Sequence, residues 1–263
     1  MKTVLTIAGS DSIGGAGIQA DIKSISANGC YAMSVITSVT AQNTFAVTGI
    51  HDIPADFVKA QTDAVFEDII PDAVKIGMLS SAEIICAVAD ELEKYGAKNV
   101  VADTVMISTS GCRLLAEDAE NALVSRLFPL ADIITPNKFE AEVLTGITID
   151  SKESMENAGE RLSEMCAGAV LIKGGHLNGD AADLLYAEGK RIWINESRID
   201  NPNTHGTGCT LSSAIAANLA KGYSVQESIR AAKAYITGAI ADGLDLGKGH
   251  GPLNHFYKGE ILT

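Results

Sequence analysis

The chain is short of basic residues. Its 263 residues include 20 lysines and arginines against 33 aspartates and glutamates, a formal net charge of −13. Such a surface repels nucleic acid and anionic membranes, so neither is an expected partner. It leaves room for an anionic substrate, because a few backbone N–H groups and one lysine suffice to hold a phosphate locally. Cysteine is also sparse: Cys30, Cys86, Cys112, Cys166 and Cys209 are scattered, odd in number and never spaced C-x-x-C. They form neither a disulfide framework nor a zinc site. Long apolar runs are missing too. The opening "MKTVLTIAGSDS" is too short to span a membrane and carries no signal-peptide cleavage pattern. There is no low-complexity linker, composition break or fixed-period repeat. A cytoplasmic protein with a single domain over 1–263 is expected, and its 46% hydrophobic content is enough for a large core.

What is present is a regular alternation. Short, β-branched, nearly continuous apolar runs at 3–9, 31–40, 72–78, 98–105, 131–137 and 169–175 predict buried strands. Amphipathic stretches at 15–28, 54–69, 81–95, 117–127, 137–145 and 151–167 predict the helices between them. Segments 183–197 turn around Gly189 as an edge hairpin, and helices over 207–221 and 224–242 close the chain. Such alternation implies an α/β fold of three layers, with a mostly parallel central sheet and helices on both faces.

Ligands of such sheets bind beyond the carboxyl ends of the strands. Polar residues and glycines follow six successive strands there: Gly9-Ser10-Asp11, Gln42-Asn43, Gly77-Met78, Asp103, Asn137 and Lys173-Gly174-Gly175. The first loop, "AGSDSIGGAGIQADIK", lacks the G-x-G-x-x-G spacing, and no acidic residue ends the second strand, so a dinucleotide site does not fit. No G-x-x-x-x-G-K-[ST] occurs anywhere. A tight turn and a ligand loop both account for Gly14, Gly15 and Gly17. In "TAQNT", Gln42 offers an acceptor and a donor suited to a heterocycle edge, but on the residues alone an ordinary turn is the favoured account of the segment.

Asn137 and Glu140 have the spacing of a helix capping pair. Alternatively, Asp103 and Glu140 supply carboxylates for a hydrated Mg²⁺. Lys173 is either a solvated strand end or a cation for nucleotide phosphates; His176 receives no role. In "NTHGTGCTLSSA", Gly206, Thr207, Gly208 and Cys209 open a helix whose free N–H groups suit an anion hole. A helix N-terminus also lowers thiol pKa values, so Cys209 is a candidate low-pKa thiol as well as a candidate core residue. His205 beside it shapes the turn.

Together "AGSDSIGGAGIQADIK", "SVTAQNT", "KIGML", "DTVM", "TPNKFEA", "KGGH", "NTHGTGCTLSSAIA" and "GKGHGPLNHF" resemble, in order, the bacterial hydroxymethylpyrimidine/phosphomethylpyrimidine kinases within the ribokinase-like superfamily. The resemblance spans almost the whole chain. It implies a ribokinase-like fold without a separate lid domain, a homodimer, and two successive phosphorylations of a hydroxymethylpyrimidine by ATP with Mg²⁺ in thiamin biosynthesis. It also implies that Cys209 replaces the aspartate base of related sugar kinases, with Gly206, Thr207, Gly208 and Lys173 beside it. Ala16, Asp21, Gln42, Met78 and Val105 would form the pyrimidine pocket. Asn137, Lys173, Gly174, Gly175 and Thr204 would serve ATP, and Asp103 and Glu140 the metal.

Two departures from the family pattern stand out: Thr109-Ser110-Gly111-Cys112 where K-S-G-D is usual, and Ile13 in place of a small polar residue. Changed kinetics rather than changed chemistry are expected. The nearest rival is a pyridoxal or pyridoxine kinase, from which "TAQNT" separates the chain. A non-catalytic pyrimidine sensor is the rival of another class.

Overall fold

The computed structural model describes residues 1–106, 115–116, 119–174, 181–196 and 199–259. Nine strands form one sheet: β1 (Thr3–Ser10), β2 (Tyr31–Gln42), β3 (Val47–Asp52), β4 (Ala73–Ile76), β5 (Val100–Ala102), β6 (Ile133–Ile134), β7 (Ala169–Ile172), β8 (Ala181–Ala187) and β9 (Lys190–Glu196). Their spatial order is β3-β2-β1-β4-β5-β6-β7-β8-β9. The six strands from β2 to β7 in that row run parallel; at the edges β3 pairs antiparallel with β2, β8 antiparallel with β7, and β9 antiparallel with β8.

The helices are α1 (Gly17–Ala27), α2 (Ala55–Phe66), α3 (Ala82–Tyr95), α4 (Ala119–Ala122), α5 (Lys138–Thr145), α6 (Lys152–Ser163), α7 (Thr207–Ala220) and α8 (Val225–Asp242). A strand's alternate residues face opposite sides. Leu5, Ile7, Val74, Ile76, Val100 and Ala102 accordingly join α2, α3, α5 and α6 in one core. Val4, Ala73, Val101 and Leu171 join α1, α7 and α8 in the other. The three-layer expectation is met.

Helix α7 is buried nearly all round, and its small side chains, TGCTLSSAIAANLA, let it lie close against the sheet between α1 and α8. The strand order reverses at β1, which β2 leaves on one side and β4 on the other. That reversal opens a crevice at the carboxyl ends of the strands, and the N-termini of α1 and α7 point into it.

Differences from the sequence reading have local causes. β3 carries VTGIHD, almost wholly exposed, so it offers no apolar alternation and exists through its pairing with β2. The predicted strands at 98–105 and 131–137 shrink to three and two residues because the chain leaves the sheet into the crevice loops. The predicted helix at 117–127 begins at Ala119 and passes after α4 into a π-helical turn, Leu123–Leu127.

Candidate active site

Lys75 sits in the middle of an apolar strand, DAVKIGM, and the alternation that sends Val74 and Ile76 to one face sends it to the other. There its ammonium meets Asp21 of α1 at 2.9 and 2.8 Å, with both side chains fully buried. Asp21 is further hydrogen-bonded by Thr6 Oγ1 (2.6 Å) and by Ser213 Oγ of α7 (2.7 Å). Burial alone would favour neutral Lys75; Asp21, with Cys209 and Asp103 beyond it, holds the lysine protonated well above its ordinary range. With both oxygens engaged and no exposure, Asp21 lies beneath the crevice. There it binds strand, α1 and α7 together.

Above this pair lies Cys209, in the first turn of α7. Gly206 caps the helix with φ +82°, and a Cβ there would come within 1.8 Å of the Gly15 carbonyl, so only glycine lets the two loops meet. The Thr207 N–H is taken by the Thr204 carbonyl at 3.3 Å. Of the four successive amides expected to form an anion hole, those of Gly206, Gly208 and Cys209 find no acceptor among the described residues. The N–H of Gly17, first residue of α1, points at the Cys209 sulfur, so two helix N-termini converge on it.

The thiol is nevertheless not a resting thiolate. Burial pushes it up to about 11; Lys75 and the Gly17 N–H pull it down, while Asp21 and Asp103 push it further up. The expected low-pKa thiol is thus corrected: desolvation outweighs the helix field.

Asp103 follows β5. Its Oδ1 accepts from Thr135 Oγ1 (3.0 Å) and Lys173 Nζ (2.9 Å), and Ser212 Oγ lies 3.2 Å from Oδ2. Burial works against its charge, but Lys173, Lys75 and these hydrogen bonds prevail, keeping the carboxyl below its usual range. Lys173 follows β7; burial opposes its charge, and Asp103 and Glu140 more than restore it. A Cβ on Gly208 would lie 3.4 Å from Asp103 Oδ2 and 3.6 Å from Lys173 Nζ, so the start of α7 abuts this ion pair.

Asn137 and Glu140 do form the capping box of α5: Asn137 Oδ1 accepts from the Glu140 N–H (3.0 Å), and Glu140 Oε2 accepts from the Asn137 N–H (2.8 Å). Thr104 Oγ1 also donates to Oε2 at 2.9 Å. Among the described residues Oε1 accepts from the Met106 N–H alone, at 3.4 Å. Burial and the nearby Asp103 raise the Glu140 carboxyl, with Lys173 opposing, and leave it above the ordinary range. Among the described residues no group of three or more His, Cys, Asp or Glu could cage a metal.

Ala16, Met78 and Val105 stand in the loops after β1, β4 and β5, and Gln42 is the last residue of β2, all around the crevice. Thr204 enters the α7 turn. Gly175 lies outside the described residues, as do His176, Thr109 and Cys112. Ile13 is more than a third exposed in the first loop.

Several supporting residues went unread in the sequence. Asp11 accepts from the N–H groups of Ile13 (3.1 Å), Gly15 (3.0 Å) and Ala16 (2.8 Å) and meets His205 Nε2 at 2.8 Å. Burial works against the Asp11 charge, but His205 and these amides hold the carboxyl below its usual range. His205 thus staples the first loop to the α7 turn, and its Nε2 also lies 3.3 Å from Gln42 Nε2. The GKGHGPLNHF segment threads between the same loops: the His250 N–H donates to Thr44 O (3.1 Å), Gly251 N–H to Asn203 Oδ1 (3.0 Å), and His205 N–H to Gly251 O (3.2 Å).

His255 ends this strap, buried at 3.0 Å from Thr210 Oγ1 of α7, with its carbonyl accepting from Tyr235 OH at 2.8 Å. Burial and Lys23 push its imidazole down to about 4 from 6.5. Between those values the unfolded chain binds a proton that the native state refuses, so stability falls as pH drops through the window. The expected loss is about 2 kcal/mol between pH 6.5 and 5. Urea unfolding at the two pH values should show it, and His255→Gln should flatten that part of the slope.

No described helix is long and apolar enough to cross a membrane. The profile of the phosphomethylpyrimidine kinase family matches residues 11–254. The chain is 52% identical over 258 residues to a hydroxymethylpyrimidine/phosphomethylpyrimidine kinase of Rhizobium meliloti, covering 97% of each. It is 51% identical over 259 residues to a thiamine biosynthesis bifunctional protein of Geobacter sulfurreducens; the match takes in 98% of this chain but spans only 53% of that protein. The structure of the pyridoxal kinase from Staphylococcus aureus in complex with ADP superposes with a TM-score of 0.91, at 34% identity, over 99% of this chain and 96% of that one. A crevice with an aspartate–lysine pair at a helix start, and a family match over nearly its whole length, assign the chain: it belongs to the phosphomethylpyrimidine kinase family.

Proposed function

We propose that the protein transfers the γ-phosphoryl group of ATP to the hydroxymethyl group of 4-amino-5-hydroxymethyl-2-methylpyrimidine, and then a second to the resulting monophosphate, in thiamin biosynthesis. The observation that supports this most is the meeting of Cys209, the free Gly208 and Cys209 amides, and the Asp103–Lys173 pair at one end of α7. Phosphoryl transfer asks for donors around the equatorial oxygens and a cation for the departing phosphates. The two amides and Lys173 are those donors.

In this reading the pyrimidine occupies the crevice at β1, with Ala16, Met78 and Val105 around the ring and Gln42 at its polar edge. Nucleotide lies toward Asn137, Lys173, Gly174, Gly175 and Thr204. The carboxylates suit Mg²⁺, a hard ion that keeps several waters and takes few protein ligands. Asp103 would face it directly, and Glu140, with Oε2 spent on the cap, would reach it through Oε1 or water. When bound, the ion neutralises charge on the phosphates. A homodimer in the cytoplasm belongs to the same reading; the exposed β3 edge, with Val39, Phe45 and Ile50 exposed near it, is a surface that needs cover.

Pyridoxal kinase is the second reading, favoured by the overlay with the Staphylococcus enzyme. Measuring ADP release with Mg²⁺-ATP and hydroxymethylpyrimidine, its monophosphate or pyridoxine in parallel separates the two. Turnover of both pyrimidines is expected. Turnover of pyridoxine alone would move the substrate to vitamin B6, and binding without turnover would make the protein a sensor.

A further inference from the structure

Beyond the crevice, one buried ion pair reaches the nucleotide side from the far layer. Asp183, in the middle of β8, is 3% exposed, and its Oδ2 pairs with Lys233 of α8 at 2.8 Å. Its other oxygen, Oδ1, accepts the N–H of Gly174 at 2.9 Å. The register explains the reach: Ile172 pairs with Leu184, so the chain leaving β7 passes beside Asp183. Gly174 lies so close to β8 that a Cβ would come within 1.8 Å of the Ala182 carbonyl. On the other side the Lys173 N–H donates to the Pro136 carbonyl at 2.8 Å. The turn is therefore clamped at two consecutive amides, and Lys173 leaves the clamp pointing at Asp103.

An isolated ion pair in this place gives little net stability, since burying both charges offsets their attraction. Its geometry gives something else, a fixed acceptor for one loop amide. We propose that Asp183 is a positioning residue for phosphoryl transfer: its carboxylate, anchored by Lys233, fixes the Gly174 amide and so sets the direction of Lys173. The inference rests on the reading of Lys173–Gly174 as the nucleotide turn.

The test compares D183A with D183N by steady-state kinetics, varying Mg²⁺-ATP and the pyrimidine separately. Both variants leave Lys233 without its carboxylate and share that cost in stability. Only D183N keeps an oxygen for the Gly174 N–H. D183A should raise the KM for ATP roughly tenfold or more, the effect of losing a hydrogen bond to a charged acceptor, with the KM for the pyrimidine unchanged. D183N should stay within about threefold of the parent. Should D183A not fold, the double variant D183L/K233M removes the acceptor without leaving a buried charge and should show the same rise. Equal KM values for ATP in D183A and D183N, or an unmoved KM in D183A or D183L/K233M, would overturn the inference. K173A identifies the other failure: if it alters neither the KM for ATP nor kcat, the nucleotide reading falls first and the inference with it.

Discussion

Cys209→Ser is expected to slow the first phosphorylation by ~10²–10⁴-fold, the usual contribution of a general base, while the second stays within a few-fold. The two acceptors differ in what they require. A primary alcohol must lose a proton as it attacks, whereas a phosphate oxygen is already ionised near neutral pH. In the proposed mechanism the amides of Gly208 and Cys209 and the Lys173 ammonium would serve both steps, and they survive the substitution. A serine hydroxyl is a far weaker source of an anion than a thiol. Because burial pushes the resting thiol up to about 11, the thiolate fraction grows with pH throughout the neutral range. The first-step kcat/KM, which reports the free enzyme, should therefore climb by up to tenfold per pH unit between pH 7 and 9. That climb should vanish in the serine variant. Equal losses in both steps, with the slope retained, would make Cys209 a supporting residue of the loop.

Lys75→Met should destabilise the fold by about 3–5 kcal/mol, because it strands the Asp21 carboxylate in the core. Asp21 would keep Thr6 and Ser213 as donors but lose the Lys75 ammonium, at a depth where water cannot take over. The double variant Asp21→Asn/Lys75→Met removes both charges, and an asparagine can still accept from a neighbouring hydroxyl. It should recover most of the loss in chemical denaturation. A single variant as stable as the parent would mean that the pair is not what ties α1, β4 and α7 together.

The long, regular elements were legible because their signals are local. β1 and β2 are continuous apolar runs, and the capping box of α5 is a spacing of three residues, Asn137 to Glu140. Gly206 and Gly208 before Cys209 announced the helix start. Pairings distant in sequence left no such trace. His205 meets Asp11 across 194 positions, and Ser213 meets Asp21 across 192. Lys75 did carry a signal, a charge inside an apolar strand, but its meaning depended on a partner 54 residues earlier. The state of Cys209 is hidden from the sequence for a related reason. The helix field that lowers its pKa is readable from sequence, whereas the desolvation that raises it comes from layers packed around it. β3 shows the limit for strands: an exposed edge borrows its conformation from its neighbour.

The measurement that bears most directly on the account is a mass-resolved time course with Mg²⁺-ATP and unphosphorylated hydroxymethylpyrimidine as the sole acceptor. One active site should give the monophosphate first and then the diphosphate, with two ADP released for each diphosphate formed. A product that stops at the monophosphate, even with ATP in excess, would contradict the two-step reading built on Cys209, Lys173 and the α7 amides.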